Sequence, residues 1–259
     1  MKTILLILAI ACVSYASFQY ATRLQQVNAG ARLATNNKAS IPKPILHILF
    51  YQDVSQSIRS NGVELISSSV FVPYFSDINR DIELSFGCIA DISAHKLISI
   101  RLPAAIFSKP EMPDLSNASI TERRTLKEQY INDLTHFKTD SGRYFSDRTT
   151  RIVEFCKHVD SLIVMYRLHL SPETDLVTAI RVADKAFNFS PDSMHNILIL
   201  NSDGQDSYGR SITKLNNKTT VILVNASGIT HTSIDSIITL TLQSPEDAIQ
   251  FSLSNAIHQ

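Results

Sequence analysis

The chain has 259 residues, of which 44% are hydrophobic and 19% are charged, and its 24 basic and 24 acidic residues give a formal net charge of +0. This composition is typical of a globular protein with a sizeable core, and the lack of a strong positive field disfavours nucleic acid or an anionic membrane surface as the main partner. Only 7 Gly are present, which argues against collagen-like proteins and glycine-rich phosphate loops.

The N-terminus has the pattern of a secretory signal. Lys2 is followed by an apolar run over residues 3–13 and by the small residues Ser14 and Ala16, which predicts cleavage after Ala16. Two alternatives stay open: the sequence around Cys12 resembles a lipobox, which would lipidate Cys12, or the run is retained as a short membrane anchor. All three interpretations predict export, as a secreted, periplasmic or membrane-tethered protein.

Three regions are therefore predicted. Residues 1–16 form the signal or anchor, residues 17–44 form a polar linker, and residues 45–259 form one folded domain. Within this domain, Cys88 and Cys156 either form one disulfide in an oxidising compartment or remain two buried thiols.

The domain alternates apolar runs with helical patterns. In chain order, these patterns predict a strand at 45–51, a helix at 62–78, strands at 81–90 and 96–102, helices at 119–137, 148–168 and 174–188, strands at 196–202, 219–227 and 236–242, and a helix at 244–257. Pro73 can kink or end the first helix. Ser119 or Thr121 can cap the second helix, and Ser244 with Pro245 can begin the last one.

This alternation predicts an α/β fold. We expect a doubly wound, mostly parallel, Rossmann-like sheet flanked by helices, with one antiparallel edge strand contributed by the hairpin at 81–102. In such sheets, ligands bind at the carboxyl ends of strands, near the point where the strand order reverses. The strand ends are therefore the places to look for a site.

Oxygen-bearing side chains follow two of these strands and precede one helix. The first strand ends in Asp53, Ser55 and Ser57, Asp203 follows the strand at 196–202, and Thr174 opens a later helix. Hydroxyl and carboxylate oxygens are ligands for a hard divalent cation such as Mg²⁺. Because hydroxyls are neutral, such a site leaves the ion electrophilic enough to accept a carboxylate from outside.

These motifs resemble the von Willebrand factor A-type (vWA) domain with its metal-ion-dependent adhesion site (MIDAS). That family has Asp-x-Ser-x-Ser after its first strand, a Thr before a later helix, and an Asp, often in "TDG" or "SDG", after its fourth strand. Asp53, Ser55 and Ser57 match the first element, Thr174 matches the second, and Asp203 in "SDG" matches the third. The resemblance covers the whole folded domain.

The resemblance implies an exported, metal-dependent adhesion or interaction module. Ser55, Ser57 and Thr174 would hold Mg²⁺, or alternatively Mn²⁺ or Ca²⁺, with Asp53 and Asp203 as direct or water-mediated ligands. A partner protein would complete the coordination sphere with an Asp or Glu. The resemblance does not indicate the partner's identity or the oligomeric state.

Neighbouring residues have plainer interpretations. Pro172 and Glu173 replace the glycines that the family usually has before its Thr, and Glu173 either competes for the metal or faces solvent. Asp175 is expected to be a helix-start residue. Asp206 is expected to be a solvated loop acid, and His47 a core histidine.

Two alternative functions use the same fold. One is a vWA scaffold with a vestigial or structural metal site, which acts in cell-envelope or surface assembly. The other is a metal-dependent hydrolase. The sequence does not favour an enzyme, because it has no GxSxG nucleophile motif and no phosphate-loop or dinucleotide fingerprint.

Overall fold

Six strands form the central sheet of the computed structural model, which describes residues 45–56, 65–91, 96–116, 118–168, 172–188, 194–216, 218–224 and 233–255. The strands are β1 (Leu46–Asp53), β2 (Ile82–Ile89), β3 (Leu97–Leu102), β4 (His195–Asn201), β5 (Thr219–Val224) and β6 (Leu240–Leu242). Their order is β3-β2-β1-β4-β5-β6; five strands are parallel, and the edge strand β3 is antiparallel to β2. The prediction of an α/β fold with a mostly parallel sheet and an antiparallel edge strand is confirmed.

The described residues all belong to one compact unit, 43–259. The predicted signal or anchor at 1–16 and the linker at 17–44 lie outside the described residues, and so does Ser57. Within the described ranges, no helix is both long enough and apolar enough to cross a bilayer.

Helices pack on both faces of this sheet. They are α1 (Phe71–Phe75), preceded by a 3-10 turn (Ser68–Val70), α2 (Ile120–Leu168), α3 (Leu176–Asn188) and α4 (Pro245–Asn255). All eight residues of β1 are buried, and alternate side chains enter two apolar clusters. Ile48 and Phe50 pack with α1, α2 and α4, whereas Leu49 and Tyr51 pack with α3.

Two buried side chains that can form hydrogen bonds, His47 and Cys156, have partners in the core. His47 is 3% exposed, lies 3.4 Å from the Ser85 hydroxyl through its Nε2 atom and makes an edge contact with the Phe187 ring, so the prediction of a core histidine is confirmed. Cys88 and Cys156 are both free thiols. The Cys156 Sγ donates to the Ser68 carbonyl at 3.0 Å.

The largest difference from prediction is α2, a single helix of 49 residues where two helices were expected. The polar stretch between the predicted helices resembled a loop, but its one glycine, Gly142, weakens a helix by only about 1 kcal/mol. Hydroxyls in this stretch donate to carbonyls one turn earlier, as Thr139 does to Thr135 at 3.0 Å. At its start, the Ser119 amide donates to Glu122 at 2.8 Å and the Glu122 amide donates to Ser119 at 3.4 Å, which confirms Ser119 as the cap.

Two other predicted elements are shorter than expected. The helix predicted at 62–78 contains only the 3-10 turn Ser68–Val70 and the short α1 among its described residues, and Pro73 lies within α1, where it cannot donate a backbone hydrogen bond. The last strand is only Leu240–Leu242. The final helix begins as predicted, because the Asp247 amide donates to the Ser244 hydroxyl at 3.1 Å.

Candidate functional site

Asp53 is the last residue of β1, which lies between β2 and β4, where the strand order reverses. Its side chain is wholly buried, and both carboxylate oxygens accept hydrogen bonds. The Ser55 amide donates to Oδ1 at 2.9 Å, and the Ser202 hydroxyl donates to Oδ2 at 2.8 Å. The carboxylate is therefore held in place at the position where open α/β sheets bind their ligands.

Asp203 lies in a tight turn directly after β4. It is 2% exposed, and its Oδ1 atom accepts from the Gln205 amide at 3.0 Å. Gly204 has a φ of 78°, in the left-handed region that glycine adopts without strain. The glycine of the "SDG" motif thus suits the backbone of this loop, and Asp203 is buried at the same sheet edge as Asp53.

Charge accumulates at this edge. Burial raises the pKa of Asp53 to about 6, the hydrogen bonds from Ser55 and Ser202 oppose this increase, and the charge of Asp203 adds to it. A carboxylate that is buried beside a second carboxylate is stabilised by any cation that arrives between them. The electrostatics of the edge therefore favour a bound positive charge.

Thr174 is held over the same edge by bonds on two sides. Its amide donates to the Ser207 hydroxyl at 2.7 Å, and the Ser207 amide donates back to the Thr174 carbonyl. The next amide, that of Asp175, donates to the carbonyl of Ala90 at 2.8 Å. Because Ala90 follows β2 and Ser207 belongs to the loop after β4, the segment that carries Thr174 crosses the end of β1, where Asp53 lies.

Side-chain contacts hold the loop before α3. Glu173 accepts a hydrogen bond from the Tyr208 hydroxyl, so its carboxylate contacts the loop that follows β4. The guanidinium of Arg210 lies 4.6 Å from the centre of the Tyr208 ring. The two loops that carry Thr174 and Asp203 are thus joined at their rim.

Arg210 also links the loop that carries Thr174 to the loop that carries Asp203. It donates to Asp175 and, at 2.9 and 3.1 Å, to Asp206, and both carboxylates are inaccessible to solvent. Burial acts to raise the pKa of each acid, but the hydrogen bonds and charge of Arg210, with those of backbone amides, lower both pKa values overall. The expectation of a solvated Asp206 is wrong because Arg210 covers it.

Asp175 is the helix-start residue that was expected, because its Oδ1 atom accepts from the Thr178 amide at 3.1 Å. The groups that hold the site together have no recognisable motif in the sequence. Gln52 is one of them: its Oε1 atom accepts from Asn201 at 2.7 Å and from the Ile66 amide at 3.0 Å. Only the "Q" before the aspartate and the "N" at the matching end of β4 hinted at this pairing.

The structure brings Asp53, Ser55, Thr174 and Asp203 to one edge of the sheet. Ser57, two residues after Ser55 in the chain, lies outside the described residues. Across the part of the chain that is described, no three His, Cys, Asp or Glu side chains assemble into a metal-binding group. Any cation at this edge would consequently depend on hydroxyl oxygens as well as on the two carboxylates.

The chain shows only weak similarity to known proteins. No family model and no curated protein matches the chain. Among solved structures, the chain is similar to the pilus adhesin SpaC from Lactobacillus rhamnosus GG in its open conformation, with 11% sequence identity and a TM-score of 0.36. The match covers 86% of this chain and 30% of the adhesin chain.

Proposed function

We propose that this chain is an exported protein-binding module of the vWA type, with a divalent cation at the carboxyl edge of its sheet. Ser55, Ser57 and Thr174 would contribute hydroxyl oxygens, and Asp53 and Asp203 would bind directly or through water. The ion would be Mg²⁺, with Mn²⁺ or Ca²⁺ as alternatives. An Asp or Glu of the partner protein would complete its coordination, and the module would have no catalytic activity.

The observation that carries this proposal is the environment of Asp53. Its carboxylate is fully buried, burial and to a smaller extent the Asp203 charge raise its pKa, and none of the described Lys or Arg side chains forms an ion pair with it. The cation of the neighbouring loop, Arg210, is engaged by Asp175 and Asp206 instead. A metal ion would supply the missing positive charge.

The hydroxyls support Mg²⁺ in particular. Mg²⁺ requires near-octahedral oxygen coordination, usually keeps several waters and is commonly held by one or two carboxylates. Two carboxylates with the hydroxyls of Ser55 and Thr174 match that demand. An exchangeable water position is where a partner's carboxylate would bind.

The sheet topology supports the vWA assignment. The order β3-β2-β1-β4-β5-β6 is consistent with a doubly wound fold, in which the ligand crevice opens between the strands where the order reverses. Here these strands are β1 and β4, which carry Asp53 and lead into Asp203.

Calorimetric titration of the full chain with Mg²⁺, Mn²⁺ and Ca²⁺ tests the cation site. We expect one saturable site that disappears in Asp203→Asn and weakens strongly in Thr174→Val, whereas Thr174→Ser retains it because the hydroxyl is kept. Asp160→Asn is the matched control, because Asp160 is an exposed acid of α2. A chain that binds none of the three ions would reject the cation site and leave the alternative of a scaffold with a vestigial site.

The partner is tested separately. Partner binding should be lost in a chelator and restored by Mg²⁺. Partner binding that persists unchanged in the chelator, on a chain that does bind Mg²⁺, would reject completion by a carboxylate while leaving the cation site intact.

A further inference from the structure

A second polar cleft lies between α3 and the segment after Arg210, outside the candidate cation site. Its volume is about 360 Å³, which is within the range of small-ligand sites. Arg181 and Lys185 line it from α3, and Ser211, Thr213 and Lys214 line it from the opposite wall. The cleft therefore combines three cationic side chains with two hydroxyls.

The three cations have no protein counterion in the described part of the chain. Arg181 and Lys185 are four residues apart on α3, so they are neighbours on one helix face, where like charges destabilise a helix. Lys214 adds a third positive charge from the facing segment. Among the described residues, none of these three side chains forms an ion pair or a side-chain hydrogen bond.

Asp184, the one acid among the described residues that line the cleft, has a structural task. Asp184 is 6% exposed, and both of its carboxylate oxygens accept from the Asn216 amide at 3.1 Å. Its Oδ2 atom also accepts from the Asn216 side chain at 2.7 Å. Asp184 thus fastens the wall that carries Lys214 onto α3, and the cleft still has more cations than acids.

We propose that this cleft binds a phosphate or sulfate group. The guanidinium of Arg181 can donate two parallel hydrogen bonds to such an oxyanion, and Lys185 and Lys214 can neutralise its charge from two sides. The hydroxyls of Ser211 and Thr213 can donate to its remaining oxygens. A tetrahedral anion presents oxygens in all of these directions, whereas a carboxylate presents only two oxygens in one plane.

Titration of the full chain with inorganic phosphate, and separately with inorganic sulfate, tests this proposal. The measurements are made in EDTA, so that the outcome does not depend on the cation site. We expect saturable binding with a dissociation constant on the order of 1 mM, and a clearly weaker response to acetate at equal ionic strength. A preference for phosphate over sulfate, or the reverse, identifies which group the cleft recognises.

Variants then locate the binding. Arg181→Gln and Lys214→Gln should each weaken anion binding by about tenfold, because each removes a charge-assisted hydrogen bond. Both side chains are exposed, so the unfolding midpoint should not change, and Lys185→Gln provides a third variant on the same cleft. Lys127→Gln, at an exposed position of α2, should bind as the parent does.

Three results would overturn the proposal. They are the absence of saturable binding of both phosphate and sulfate, an acetate affinity equal to theirs, and an unchanged affinity in the double variant Arg181→Gln, Lys214→Gln.

Discussion

Replacing Asp53 with Asn should stabilise the protein when no cation is present. Burial and the Asp203 charge raise the pKa of Asp53 from 3.8 to about 6, so the folded state holds this proton more tightly than the unfolded state does. The resulting contribution to stability is complete below about pH 4 and is lost as the pH rises through about 6. At neutral pH, the buried charge therefore weakens the fold.

The magnitude follows from the size of this pKa difference. An increase from 3.8 to about 6 corresponds to about 3 kcal/mol at 1.36 kcal/mol per pKa unit. Asn has the shape of Asp and keeps an oxygen that can accept from the Ser55 amide. We therefore expect Asp53→Asn to raise the free energy of unfolding by up to about 3 kcal/mol near pH 7.5 in EDTA, and much less near pH 4.

Urea denaturation followed by circular dichroism measures both effects. Saturating Mg²⁺ should stabilise the parent chain, because only the folded state presents the site, and should not stabilise Asp53→Asn. Asp160→Asn should behave as the parent does with and without the ion. The reasoning is refuted if Asp53→Asn is less stable than the parent in EDTA at neutral pH, or if Mg²⁺ stabilises both chains equally.

Three further predictions concern the frame of the site and the long helix. Arg210→Ala leaves two buried carboxylates without their cation and should lower the free energy of unfolding by about 3 kcal/mol. Arg210→Lys should lower it by less, because the positive charge is kept. Equal losses of the two variants in urea titrations would contradict the role of the guanidinium. Gly204→Ala places a side chain on a backbone in the left-handed region, so it should destabilise the fold by about 1 kcal/mol and weaken Mg²⁺ binding in calorimetry. Gly142→Ala in α2 should instead stabilise the fold by about as much. Ser119→Ala should lower stability by about 1 kcal/mol and Thr121→Ala should not; similar midpoints for both would argue against the capping box.

The sequence was sufficient for features that depend on local pattern. β1 was predicted because a strand that is buried on both faces requires a continuous apolar run, and α3 because its apolar residues recur on one side of a helix. The turn at Gly204 and the cap at Ser119 were predictable for the same reason, since each depends on contacts within a few residues.

Features that depend on distant contacts were missed. Arg210 pairs with Asp175 across 35 positions of the chain, and no local signal marks that partner. The polar middle of α2 resembled a loop because a helix that is exposed on most sides lacks an apolar stripe. The contacts of the loop at Pro172 and Glu173 were missed as well, because the bonds to Ser207 and Tyr208 that hold it form only once the loop after β4 lies beside it.

The helix α2 has two regions of unequal burial, from which we expect unequal local stability. Before Arg148, none of its described side chains is buried, whereas after it buried residues recur at every turn. Arg148 itself donates to the carbonyls of Phe75, Arg80 and Pro103. The backbone amides of α2 that follow Arg148 should exchange with solvent only when the whole domain unfolds. The amides of α2 that precede Arg148 should exchange through local fraying. Hydrogen exchange is thus expected to divide α2, a helix that is continuous in geometry, into two cooperative units at Arg148.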